Sequence, residues 1–234
     1  MSPRFMNGYF ITGTDTGVGK TLVAAALTRA FVARGLRAAV MKPVAAGVVS
    51  TNDGPRNDDA LELLGASNVP AAYEDVNPWL LSTAASPHLA ARIDGVTITY
   101  EPILAAQRRL AAVSDVLLVE GAGGWFAPIS ATESMADVAD KLALPVILVV
   151  GLRLGCLNHA LLTHEAIRSR GLHFAGWIAN RMQIEMPLVN ENIETLTQRF
   201  DGGPLGTVPS STNGASVGGL EPWAFEIAKN LVSL

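Results

Sequence analysis

Apolar residues in this chain come in two textures. Short runs with almost no polar interruption, such as Tyr9-Phe-Ile11, Val116-Leu-Leu-Val119 and Val146-Ile-Leu-Val-Val150, are the length of strands and apolar on both sides. That is the pattern of strands covered by helices on both faces. Strands are predicted near 8–12, 37–42, 115–120, 145–151, 174–179 and 204–208. Between them, apolar positions recur every three or four residues, which predicts helices near 20–34, 57–65, 86–93, 100–113, 133–143, 157–170, 187–200 and 221–232. The stripe Leu157, Ala160, Leu161, His164 reads as a core-facing helix surface, and Gly35, Gly65 and Gly171 stand where helices should stop. Strands alternating with helices predict βαβ construction: an α/β protein with a mostly parallel sheet flanked by helices on both faces. No internal repeat is present. The least regular stretch is 202–220, with Gly202-Gly203, Ser210-Ser211 and Gly218-Gly219, and it reads as a surface loop. Only one short helix follows it, so residues 1–234 are expected to form a single domain.

Composition narrows the function classes. The chain has 234 residues, 49% of them hydrophobic and 16% charged, enough for one substantial core. A net charge of −4 offers no basic field for nucleic-acid phosphates. The longest apolar runs are strand-sized rather than membrane-sized, and no apolar export segment precedes the first strand. The single cysteine, Cys156, excludes an internal disulfide and a cysteine zinc cluster, and His88, His159, His164 and His173 lack zinc spacing. These features point to a cytoplasmic protein with neither nucleic acid nor membrane as its partner.

The first strand runs into Thr12-Gly-Thr-Asp-Thr-Gly-Val-Gly-Lys-Thr21 and then the helical segment that starts at Leu22. Strand, glycine-bearing loop, Gly-Lys-Thr and helix make a phosphate-binding loop, in which backbone N–H groups and a helix start cradle phosphate oxygens. Gly17, Val18, Gly19, Lys20, Thr21 and Leu22 are its expected contacts. Lys20 would reach the β- and γ-phosphates and Thr21 would ligate Mg²⁺. The strict pattern wants glycine at position 14, where Thr14 stands; Gly13 precedes it, so the loop is one residue longer. The fold expected is that of a phosphate-loop (P-loop) NTPase with a nucleotide as ligand.

Ligands of open parallel sheets bind beyond the carboxyl ends of the strands. The predicted strand ends carry Lys42, then Glu120 followed by Gly121, Ala122, Gly123 and Gly124, then Asn180-Arg181, and finally Pro209. Lys42 is a compact charge suited to a transferring phosphoryl group. Glu120 stands at the usual station of a Mg²⁺-holding carboxylate in these ATPases. The glycines after it let backbone approach a ligand. Asp58 and Asp59 open a helix, where the dipole favours acids; capping explains at least one, and a metal-holding role is open for the other. Asn180 either reads a purine edge or satisfies a strand end.

In this order, the motifs resemble the dethiobiotin synthetases of biotin biosynthesis. Besides the loop they are Lys42-Pro-Val44, Asn57-Asp-Asp-Ala60, Ser86-Pro-His88, Val119-Glu-Gly-Ala-Gly-Gly-Trp-Phe126, Pro145-Val-Ile-Leu-Val-Val-Gly151, Leu154-Gly-Cys-Leu-Asn-His-Ala160 and Ala175-Gly-Trp-Ile-Ala-Asn180. The longer loop spacing is how that family writes its motif. The resemblance implies a ligase: 7,8-diaminononanoate (7,8-diaminopelargonate), CO₂ and MgATP give dethiobiotin, ADP and phosphate. It implies that Thr21, Asp59 and Glu120 hold Mg²⁺ and that Lys20 and Lys42 neutralise the transferring phosphoryl group, with Thr16 close by. Asn180 would contact adenine, with Arg181 and Pro209 beside it. It further implies a homodimer in which the segment from Gly151 to Asn158 receives the substrate carboxylate across the interface.

Two positions depart from the family pattern. Ala46 stands where relatives commonly have serine, removing one hydroxyl contact to substrate, and Ser210-Ser211 replaces an apolar pair after Pro209. The alternative is a nucleotide-dependent switch ATPase of the partition or septum-placing kind, which shares the fold. Those proteins carry lysine at the position of Asp15, followed by two glycines, and Asp15-Thr16 breaks that pattern. A cobyrinate-type amidating ligase would need further chain for a glutaminase domain.

Overall fold

A computed structural model describes residues 8–182, 186–200, 202–210 and 221–231. The central sheet contains β1 (Gly8–Gly13), β2 (Ala38–Met41), β7 (Val116–Glu120), β8 (Val146–Gly151), β9 (Phe174–Asn180) and β10 (Gly206–Val208). Its spatial order is β10-β9-β8-β1-β7-β2 and every pairing in it is parallel. The first strand is therefore central, and the chain winds outward from it in both directions. All six strands predicted from the apolar runs are present.

Alternation along each strand assigns residues to the two faces. Ile11, Val40, Leu118, Ile147 and Val149 point to one side. There they meet α1 (Lys20–Ala33), α2 (Asp58–Ala66) and α9 (Pro222–Leu231) through Leu27, Phe31, Leu63 and Ile227. Phe10, Ala39, Met41, Leu117 and Val119 point to the other side, against α5 (Tyr100–Val113) and α6 (Met135–Leu142). On that same side Leu148, Val150 and Trp177 pack on α7 (Cys156–Ser169) and α8 (Val189–Arg199). The stripe on α7 is core as expected: Ala160 and His164 are buried, with the imidazole between the rings of Phe174 and Phe200.

Short elements escaped the periodicity. β3 (Val44–Ala46) pairs in parallel with β6 (Trp79–Leu81), and β4 (Val49–Thr51) forms a hairpin with β5 (Gly54–Arg56). A single turn, α3 (Tyr73–Val76), precedes β6, and the helix expected near 86–93 follows it as α4 (Pro87–Asp94). Three-residue strands are too short to show a period of two. Gly65 does not stop its helix. It lies within α2, which ends at Ala66 and is capped by Ser67, whose hydroxyl donates to the Ala38 carbonyl at 2.8 Å. The loop expected over 202–220 contains β10, and its portion 211–220 lies outside the described residues, as does Ser211.

Candidate active site

β1 delivers its loop between the ends of β7 and β8, and the Thr14 N–H donates to the Val149 carbonyl at 3.0 Å. Gly19 has φ 91° and closes the loop onto α1; a side chain there would run into the Asn180 amide as well as strain the backbone. Lys20 is buried and its ammonium donates to the Asp15 carbonyl at 3.0 Å. Loss of hydration pulls its pKa down to about 8; Lys42 adds to that, while Glu120, Asp59 and Asp15 oppose it. The loop thus holds a poorly solvated cation, which phosphate oxygens would stabilise. The Asp15 carboxylate accepts from the Thr16 N–H at 2.7 Å and pairs with Arg153 at 2.5 Å, and these bonds hold it below the usual carboxylate range. Sequence reasoning missed Arg153, which lies just after β8.

β2 and β7 run side by side with Met41 opposite Val119, so the next residues, Lys42 and Glu120, emerge together. The Lys42 ammonium donates to Glu120 Oε1 at 2.5 Å and to Asp59 Oδ2 at 2.9 Å. The Thr21 hydroxyl donates to Glu120 Oε1 at 3.0 Å. Asp59 arrives in the first turn of α2, whose start is capped by the Asn57 side chain accepting from the Ala60 N–H. Asp58 is exposed and Asp59 faces the site, which separates the two acids that the sequence left open.

Burial opposes charge on both partners of the Lys42–Glu120 pair. For Lys42, Glu120 and Asp59 outweigh that penalty and raise its pKa. For Glu120, which is 1% exposed, burial outweighs Lys42 and holds the carboxyl above its usual range. Asp59 is half-exposed, and Lys42 outweighs its burial penalty and lowers its pKa. Glu120 Oε2 is buried with no hydrogen-bond partner. An orphaned carboxylate oxygen beside Thr21 and Asp59 is a donor set that fits a hard divalent cation. Among the described residues no group of three or more His, Cys, Asp and Glu could hold a metal. A cation here would complete its shell with water and phosphate oxygens, as Mg²⁺ commonly does.

The end of the site away from Lys42 is built from β9 and β10. The Asn180 amide donates to the Val18 carbonyl at 2.8 Å, tying the strand end to the phosphate loop and leaving its Oδ1 as acceptor. Val208 pairs with Asn180, Arg181 N–H donates to the Val208 carbonyl at 3.1 Å, and Pro209 follows at the same edge. The side chain of Val18 is core, so only its backbone can serve a ligand, and Leu22 is exposed on α1. Alongside Thr16, Lys42 and Asp59 opens a cleft of about 610 Å³. Its far walls are Ala46, Ser86 and Pro87, and Gly123-Gly124 bring backbone to its edge.

A protein-family model described as an AAA domain matches residues 7–214. The ATP-dependent dethiobiotin synthetase of Cellvibrio japonicus is 49% identical over 86% of this chain and 88% of its own length. The enzyme of the same name from Pseudomonas aeruginosa (strain UCBPP-PA14) is 49% identical over 87% of this chain and 90% of its own. The chain belongs to the dethiobiotin synthetase family. Solved structures similar in fold include the MinC:MinD cell division complex of Aquifex aeolicus, with TM-score 0.59, 14% identity and coverage of 97% of this chain and 96% of that one. The septum site-determining protein MinD of Pyrococcus horikoshii, complexed with Mg-ADP, gives TM-score 0.56 and 15% identity over 97% and 96%. At such identities the likeness shows the fold alone, that of a P-loop NTPase. In this family member, the segment after β8 exposes Leu154 almost completely and Asn158 on its surface, and buries Cys156 as expected of a small apolar filler. Among the described residues no helix is long and apolar enough to cross a membrane.

Proposed function

We propose that the chain is an ATP-dependent dethiobiotin synthetase. The observation that carries this reading is the convergence of Lys20, Thr21, Lys42, Asp59 and Glu120 beside a cleft that Lys42 and Asp59 line, in a chain half identical to enzymes of that name. One amine of 7,8-diaminononanoate attacks CO₂ and loses a proton, giving a carbamate. The carbamate oxygen takes the γ-phosphoryl group of ATP and releases ADP. The second amine then attacks the carbamoyl carbon, expels phosphate, loses a proton and closes the cyclic urea. Lys20 and Lys42 place positive charge where the phosphoryl oxygens gain negative charge, and Thr16 lines the same wall of the cleft. Thr21, Asp59 and Glu120 would hold Mg²⁺, which supplies charge neutralisation to the phosphates. Lys42 now bridges the two acids, so it must turn from them to reach a phosphoryl group.

Gly17 to Leu22 cradle the phosphates, Gly121, Ala122 and Gly123 bring backbone alongside, and Asn180, Arg181 and Pro209 flank the base. With Ala46 in place of a hydroxyl, Ser86 is the hydroxyl-bearing residue that lines the far walls of the cleft with it. A homodimer would cover Leu154 and bring the segment from Gly151 to Asn158 to a neighbouring site. Support for this is the near-complete exposure of Leu154 beside the phosphate loop's Arg153–Asp15 pair. Light scattering at assay concentration checks the mass. The activity is tested by incubating purified protein with the diamine, bicarbonate and MgATP. Dethiobiotin formed in step with ADP is expected, and ATP hydrolysis independent of the diamine would refute the assignment in favour of a switch ATPase.

A further inference from the structure

The site's two flanking pieces, Lys42 on β2 and Asp59 on α2, are joined behind the cleft by a buried chain of polar groups. Asn77, 3% exposed, donates from Nδ2 to the Lys42 carbonyl at 2.7 Å and to the Trp79 carbonyl at 3.2 Å. The Tyr73 hydroxyl donates to Asn77 Oδ1 at 3.3 Å and accepts from the Asn57 N–H at 2.7 Å. Asn57 caps the helix carrying Asp59 with its Oδ1, and its Nδ2 donates to the Gly47 carbonyl at 2.9 Å, next to the cleft wall at Ala46. Lys42 N–H also donates to the Val76 carbonyl at 2.6 Å, in the same turn as Tyr73. Of the three, Asn57 also lines the cleft, while Tyr73 and Asn77 stand behind it, outside its lining.

We propose that Tyr73, with Asn77 and Asn57, is a positioning residue that sets the separation of Lys42 from Asp59. The inference rests on the reading of the site as a metal–nucleotide centre. Its physical basis is that buried amides and hydroxyls are costly to leave unpaired, so each bond restricts the backbone on which the next group sits. A single hydroxyl serves both arms: on one side, through Asn77, the backbone of Lys42, and on the other the residue that caps the acid-bearing helix. Sliding either arm by about an ångström would break this chain's hydrogen bonds together with the 2.9 Å Lys42–Asp59 contact, so the network resists the displacement that would separate the pair.

Tyr73→Phe keeps the ring and its stacking under Arg56 but deletes the shared hydroxyl. The variant is expected to lower kcat about tenfold, the effect of one buried bond lost with its partners left unpaired. Half-maximal Mg²⁺ should rise, and KM for ATP should rise with it at fixed Mg²⁺. Calorimetry gives a second readout: affinity for ADP with Mg²⁺ should fall severalfold, and affinity for ADP in EDTA should match the parent. Asn77→Ala, which cuts the Lys42 arm, should behave alike, and Arg56→Ala, which removes only the stacked guanidinium, should match the parent in every readout. A lower melting temperature with parental kcat and parental metal dependence would overturn the proposal, since the network would then be structural only. Parental behaviour throughout would overturn it too. A parent chain that makes no dethiobiotin would refute the function assigned above, and the two ADP affinities would still decide the role of Tyr73.

Discussion

Removing Lys42 should expose the electrostatic design of the site. In Lys42→Ala the Glu120 carboxyl, 1% exposed, loses the ammonium 2.5 Å away and keeps one bond from Thr21. Breaking a buried ion pair by deleting one partner costs about 3–5 kcal/mol. The Asp59 bond adds little, because that carboxylate is half-exposed and screened. Glu120 can escape by taking a proton, and its pKa already lies above the usual range. With Lys42 gone, the folded-state pKa rises further above the unfolded value. A group raised in this way contributes stability at low pH that is lost as pH rises through the folded pKa. The deficit of Lys42→Ala against the parent should therefore grow as pH rises above the usual carboxylate range, at up to about 1.4 kcal/mol per pH unit. At pH 8 a loss of about 3 kcal/mol corresponds to a melting temperature lower by about 6–12 °C for a chain of this size. Thermal unfolding followed by circular dichroism in EDTA reads both quantities. The double variant Lys42→Ala/Glu120→Gln should recover most of the loss, with a coupling of about 2 kcal/mol in the cycle completed by Glu120→Gln alone. A deficit below about 1 kcal/mol, or one that does not change with pH, would refute this account of the pair. In turnover, Lys42→Ala should lower kcat more than it weakens nucleotide binding, because its charge acts on the phosphoryl group in transfer.

Lys20 titrates near pH 8 in the empty site, and bound phosphates should raise that pKa, so nucleotide affinity should fall as pH climbs through about 8 and binding near pH 8.5 should take up protons. Calorimetry in buffers of different ionisation enthalpy checks this; equal heats would contradict it. The same lowered pKa makes Lys20 shed its proton before the unfolded chain does, so its contribution makes the empty protein gain stability from about pH 8 towards 10.5. Asp59→Asn and Glu120→Gln should each raise the Mg²⁺ needed for half-maximal rate, because amides replace charged oxygens poorly. Asp58→Asn should leave it near the parental value, and the reverse ranking of the two aspartates would show that the wrong carboxylate had been assigned.

Much of this site was legible because its parts are local. The phosphate loop is a continuous stretch of sequence between an apolar run and a helix. Glu120 is marked by the four apolar residues before it and the glycines after it, and Asp59 by the start of a helix. The six strands are likewise visible because burial on both faces demands uninterrupted apolar runs. What joins these parts is not local. Thr21 and Glu120 are 99 residues apart, Lys42 and Glu120 are 78 apart, and Asp15 and Arg153 are 138 apart. Only the strand order, with β1 central and β7 beside β2, makes them neighbours. Composition and spacing say nothing about Tyr73, whose single turn is too short to show a period and whose hydroxyl matters through two backbone groups. Apolar periodicity therefore determined the elements and the sheet's faces, since burial acts on each residue's own side chain. Tertiary structure decided which acid faces the lysine and which cation answers Asp15, because Coulomb and hydrogen-bond energies depend on distances of a few ångströms that no spacing along the chain encodes.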